Sequence, residues 1–119
     1  MKYLLSVFLL LPSLANASDA YASCRFTTEC FETEVCTDTD FSFAVNHNDD
    51  LGFVIQTDAE NIGGLVFDNR GTDAASTLIG QTETAYHMLT INPDGAARYT
   101  VHMAGPMMIS YAGQCEGMN

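Results

Sequence analysis

Apolar and polar residues alternate along most of this chain in short runs, and the runs end at turn-forming residues. In "FSFAVNH" (41–47), Phe41, Phe43 and Val45 share one face, and "LGFVIQT" (51–57) follows an Asn/Asp-rich turn at 46–50. "IGGLVFD" (62–68) comes next, with glycines that point to a bend or bulge. A loop at 68–76 leads into a weaker strand at 77–83, and three stronger runs close the chain at 85–91, 97–103 and 108–115. No segment keeps a helical 3.6-residue apolar period over ten residues. Short strands with turn signals between them predict an all-β, antiparallel barrel or sandwich of about seven or eight strands.

The sharpest local signal is "TINPDGAARYT". Pro93 presets the first central position of a turn, Asp94 suits the second, and Gly95 can take positive φ. That combination predicts a type I turn with a glycine bulge, which sets the register of the flanking strands. Tyr86 then faces His102, Met88 faces Thr100, and Thr90 faces Arg98. The opposite face carries His87, Leu89, Ile91, Tyr99, Val101 and Met103, and is the more apolar. It is therefore the face expected to point inward.

The amino terminus follows a different pattern. Lys2 precedes an apolar run from Tyr3 to Leu11, then Pro12 and the small-residue triplet Ala15-Asn16-Ala17. This layout predicts a secretory signal peptide at 1–17 and a single exported domain at 18–119. The apolar run is too short for a membrane span, which needs about 20 residues. The expected mature domain carries Arg25, Arg70 and Arg98 against fifteen acidic residues, a balance of −12. Such a surface repels phosphate backbones and anionic headgroups, which argues against nucleic acid, and it suits a cationic partner.

Export places four cysteines in an oxidising space, where an even number points to disulfides. Cys24, Cys30 and Cys36 step by six residues, and Cys115 lies far away. Once Cys115 pairs with one of the three, the other two must bond each other. An extended six-residue span covers roughly 20 Å, whereas bonded Cα atoms lie within about 7 Å. The segment 24–36 therefore contains a reversal. The pairing Cys30–Cys36 with Cys24–Cys115 fits a first and a last strand lying antiparallel, and Cys24–Cys36 with Cys30–Cys115 is the alternative. Zinc ligands usually lie two to four residues apart, so these spacings do not favour a metal.

Candidate chemistry is sparse. His87 falls on the expected core face, either as a buried structural histidine or as the lining of a ligand cavity, and His102 falls on the other face. Phe43, Tyr99 and Met103 join His87 as candidate ligand-lining residues. The acid-rich 38–40 and 46–52 lack EF-hand spacing, so neither a metal nor a cofactor is expected. The apolar run "GPMMISY" (105–111) reads as a buried strand in preference to a partner surface. No serine stands in a nucleophile-elbow context, and "NIGGL" precedes a strand, so it cradles no phosphate.

The segments "GAARYT" through "YAGQC", with a cysteine near the mature start, resemble small periplasmic lysozyme inhibitors of the membrane-bound C-type lysozyme inhibitor kind. The resemblance implies an eight-stranded barrel whose early and late cysteines bond, with an inhibitory loop around Gly95 to Tyr99. This chain lacks the serine before that stretch and the Trp and Lys after it. More generally, the cysteine layout resembles small exported bacterial proteins without an assigned role. The expected function is non-enzymatic binding of a small apolar ligand or a cationic protein. Lysozyme or protease inhibition, and hydrolysis through a carboxylate pair or His87, are the alternatives.

Overall fold

A computed structural model describes residues 20–48, 52–69, 71–105 and 107–117. The expected signal peptide at 1–17 and the turn residues 49–51 lie outside the described residues. Eight strands follow one another: β1 (Ala22–Phe31), β2 (Thr37–Asn48), β3 (Gly52–Gln56), β4 (Asn61–Phe67), β5 (Ser76–Gln81), β6 (Ala85–Ile91), β7 (Ala96–Met103) and β8 (Met107–Glu116). Each pairs antiparallel with the next, and β8 returns to β1, so the sheet closes into a barrel. Closure leaves no sheet edge with unpaired backbone groups.

The turn at 92–95 holds the register that its residues predict. Gly95 has φ +91°, its amide donates to the Asn92 carbonyl at 2.9 Å, and the Asp94 carboxylate accepts from the Ala96 amide at 2.9 Å. Tyr86 lies opposite His102, Met88 opposite Thr100, and Thr90 opposite Arg98. His87, Leu89, Ile91 and Tyr99 are accordingly buried.

Both bridges have the preferred pairing. Cys24 and Cys115 face each other directly across β1 and β8 with Cα atoms 4.0 Å apart. Cys30 and Cys36 close the β1–β2 reversal with Cα atoms 4.2 Å apart. Two disulfides mark an oxidising compartment outside the cytoplasm. No helix among the described residues is long and apolar enough to cross a membrane.

Three local expectations change. The second strand begins at Thr37, four residues before the run expected from Phe41, and takes in the acid-rich 38–40. The glycines of β4 make no bulge, because pairing runs in unbroken register on both sides. Gly64 instead lets β5 come close: a Cβ there would meet the Ile79 carbonyl oxygen at 2.2 Å. The run at 105–111 is strand in part, yet Met107 and Met108 are exposed and only Ile109 and Tyr111 turn partly inward. These methionines occupy the barrel rim, where alternation no longer guarantees burial.

The register does shift in β1, between Phe26 and Thr28, against both neighbours. Gly113 sits opposite Phe26 at this bulge, and a Cβ on it would lie 2.0 Å from the Arg25 carbonyl oxygen. Backbone cannot swing aside as a side-chain tip can. Gly113→Ala is expected to cost about 3 kcal/mol, read as a lower urea midpoint with an unchanged slope. A variant as stable as the parent would mean that β1 and β8 do not approach this closely.

Packing inside the barrel centres on aromatic rings. Phe26 is fully buried, with ring centroids 5.2 Å from Phe43 and 5.9 Å from Tyr99. Phe43 and Tyr99 meet edge to face at 5.0 Å, a favoured arrangement for aromatic pairs. Ile55, Ile62, Leu89 and Val45 complete the most buried layer.

The outer wall has two characters. Arg25 and Asp40 form a 3.1 Å ion pair outside β1 and β2. None of the fifteen acidic residues lies on β3 to β7, and the exposed Leu65, Ile79 and Met88 stand in one cross-strand row there.

Candidate functional site

One end of the barrel carries the β1–β2, β3–β4, β5–β6 and β7–β8 connections. An open pocket of about 300 Å³ lies in this mouth. Phe41, Ile62, His87, Tyr99 and Tyr111 contribute to its walls, and the 57–60 turn overhangs it. That turn is fixed by its own side chain. The Thr57 hydroxyl oxygen accepts from the amides of Ala59 and Glu60 at 3.2 and 3.0 Å, a hydroxyl-stabilised turn that places Glu60 at the rim.

His87 is the polar centre. It comes from the inward face of β6, opposite Val101, and Tyr99 lies two residues along β7 on the same face. Such diagonal neighbours are within reach of long side chains. Nδ1 of His87 lies 2.5 Å from the Tyr99 hydroxyl, and the rings stack at 17° with centroids 5.9 Å apart. His87 is 5% exposed. Its Nε2 is buried and has no hydrogen-bond partner among the described residues.

The electrostatics keep this floor uncharged. Burial lowers the His87 pKa, and the Glu60 carboxylate pulls weakly the other way. The Tyr99 phenol is pushed far up by burial, then by Tyr111 and Glu60. Tyr111 is also raised, by burial first and then by the Glu29 carboxylate opposite it on β1. A neutral imidazole and two neutral phenols thus lie beneath an acidic rim.

The four expected lining residues do not all reach the mouth. His87 and Tyr99 do. Phe43 packs deeper, against Phe26 and Tyr99. Met103 is half-buried at the end of β7, between Ala85 and Met107. His102 is exposed on the other face, and His47 meets Phe53 edge to face at 5.2 Å near the opposite end. No three His, Cys, Asp or Glu side chains among the described residues gather in a way that could hold a metal ion.

Sequence reasoning missed Tyr111, Glu29 and Glu60. Glu29 and Tyr111 face each other across β1 and β8, a pairing that only barrel closure creates. The His87–Tyr99 contact was within reach, since the turn-derived register already put both on one face of adjacent strands. No protein-family model matches the chain, and neither does any curated protein or solved structure.

Proposed function

We propose that this protein is an exported, non-enzymatic binding module, acting in the periplasm or beyond, that holds a small and largely apolar molecule in the barrel mouth. One observation carries the reading: an open pocket of about 300 Å³ in the barrel mouth, walled by Phe41, Ile62, Tyr99 and Tyr111 beside the buried His87. The volume is at the small end of ligand pockets.

Other features support the reading. His87 is tied to a phenol and not to a carboxylate, whereas a hydrolytic histidine needs an orienting acid and a nucleophile at hand. Lipid would require an apolar belt all round a barrel, and here β1 and β2 present Arg25 and Asp40 outward.

The neutral fluorescent probe N-phenyl-1-naphthylamine tests the proposal. Saturable binding to the disulfide-bonded protein is expected, reduced at least tenfold in Val101→Trp, whose side chain would fill the pocket. Equal binding by both proteins, with matching circular dichroism, would remove the mouth as the site.

A second reading rests on charge. Glu29, Glu32, Glu34, Asp38, Asp58, Glu60 and Glu83 all belong to this end of the barrel, and neither Arg25 nor Arg98 does. A cationic protein would dock there, including a basic lysozyme or protease in an inhibitory complex. Titration with a basic lysozyme that gives neither salt-sensitive heat nor loss of lytic activity would dispose of the lysozyme case.

A further inference from the structure

We infer that the outer wall at this end of the barrel holds a soft monovalent cation of the Cu(I) and Ag(I) class, taken by the imidazole of His102 and the thioethers of Met88 and Met108. The site lies on the other side of the sheet from the mouth pocket and does not rest on the small-ligand reading. All four methionines among the described residues, Met88, Met103, Met107 and Met108, fall on β6 to β8. They gather about one histidine. Met108 stands directly opposite His102 across β7 and β8, and Met103 pairs with Met107 one residue further along. Met88 stands opposite Thr100, two residues before His102 on the same face of β7. Directly opposed Cβ atoms lie about 5 Å apart and diagonal ones about 7 Å, within reach of long side chains. The twist of the sheet closes one diagonal on the inner face, here His87–Tyr99, and the opposite diagonal on the outer face, which is Met88–His102.

The donors select the metal. All four cysteines are bonded to each other, so thioethers are the soft donors that remain. The three groups are open to solvent: His102 is exposed, and Met88 and Met108 are 43% and 39% exposed. An apolar wall does not need sulfur. The row that holds Met88 is built from Leu65 and Ile79 on β4 and β5, and it changes to methionine only beside the histidine. One imidazole nitrogen with two thioether sulfurs is a neutral, polarisable set that suits Cu(I) or Ag(I). Hard cations want oxygen, six to eight atoms of it for Ca²⁺, and β3 to β7 carry no carboxylate. One carboxylate does stand close. Glu32 accepts from the Met108 amide at 2.9 Å, and its own amide donates to the Met108 carbonyl at 3.0 Å. That clasp fixes the backbone carrying Met108 and sets a single negative charge near the cation.

Silver(I) nitrate in chloride-free buffer tests the site, because Ag⁺ leaves the disulfides oxidised. Titrated into disulfide-bonded protein with methyl-labelled methionine, it is expected to shift the Met88 and Met108 methyl signals and the His102 ring signals together. His102→Ala and Met108→Leu should each weaken Ag⁺ binding at least about tenfold, and Met88→Leu should weaken it in the same direction. These are surface substitutions, and circular dichroism matching the parent confirms that the barrel is kept. Met103→Leu, on the inner face, should bind Ag⁺ as the parent does. Zn²⁺ should bind at least about tenfold more weakly than Ag⁺. Parental Ag⁺ affinity in His102→Ala or Met108→Leu, a shift confined to the Met103 and Met107 methyls, or tighter binding of Zn²⁺ overturns the inference. The mouth pocket is read separately by N-phenyl-1-naphthylamine and stands or falls on that result.

Discussion

Removing the Cys24–Cys115 bridge by double alanine substitution is expected to cost about 4–5 kcal/mol of folding free energy, against a total of about 5–15 kcal/mol for a domain of this size. The sequence separation of 91 residues sets the magnitude, because a cross-link restricts the unfolded chain more as the loop it closes lengthens. Location adds to it. The two half-cystines are buried and stand directly opposite each other where β8 meets β1, the seam that joins the last strand to the first. The thermal unfolding midpoint should fall by about 20 °C. The Cys30–Cys36 pair, spanning six residues, should cost only about 2 kcal/mol when removed in the same way. A long-range variant that loses no more than the short-range one would mean that the barrel is not closed through this seam.

Phe26→Ala should lose about 3–5 kcal/mol, the other large effect expected. Phe26 is wholly buried, and its ring lies within 6.1 Å of the Phe41, Phe43, Tyr99 and Tyr111 ring centroids. Truncation removes the hub between the deep core and the mouth and leaves a ring-sized void among stiff neighbours. Phe26→Leu keeps much of the volume and should lose under about 1.5 kcal/mol. Urea unfolding of the two variants measures the contrast. Near-equal midpoints would show that the aromatic cluster repacks freely and that Phe26 is not its centre. The alanine variant should also loosen Tyr99, so its affinity for N-phenyl-1-naphthylamine should fall along with its stability.

Much of the architecture was legible because it follows from local chemistry. A two-residue period sets the faces of β6 and β7, and Asn92-Pro93-Asp94-Gly95 pins their register to the residue. The cysteine spacing forces a reversal before Thr37, and an antiparallel first and last strand makes Cys24–Cys115 the natural long bond. Strand ends were less legible. The second strand starts earlier than its apolar pattern indicates, since the pairing Thr28–Asp38 and Glu29–Thr37 continues through polar residues held by the β1–β2 hairpin. Met107 and Met108 are apolar and still exposed, because at a barrel rim the facing strands no longer cover what the pleat presents.

By itself, then, the order of residues determined an all-β chain, the inward face of its best hairpin, and that one disulfide closes within residues 24–36. Those properties arise between near neighbours, or from a choice among very few pairings. Tertiary closure alone decided that the sheet is a barrel, that Glu29 meets Tyr111, and that a threonine-locked turn hangs Glu60 over the His87–Tyr99 pair. These groups come from β1, β6, β7, β8 and the β3–β4 turn. No periodicity along the chain records a meeting that depends on how far each strand tilts before the last one finds the first.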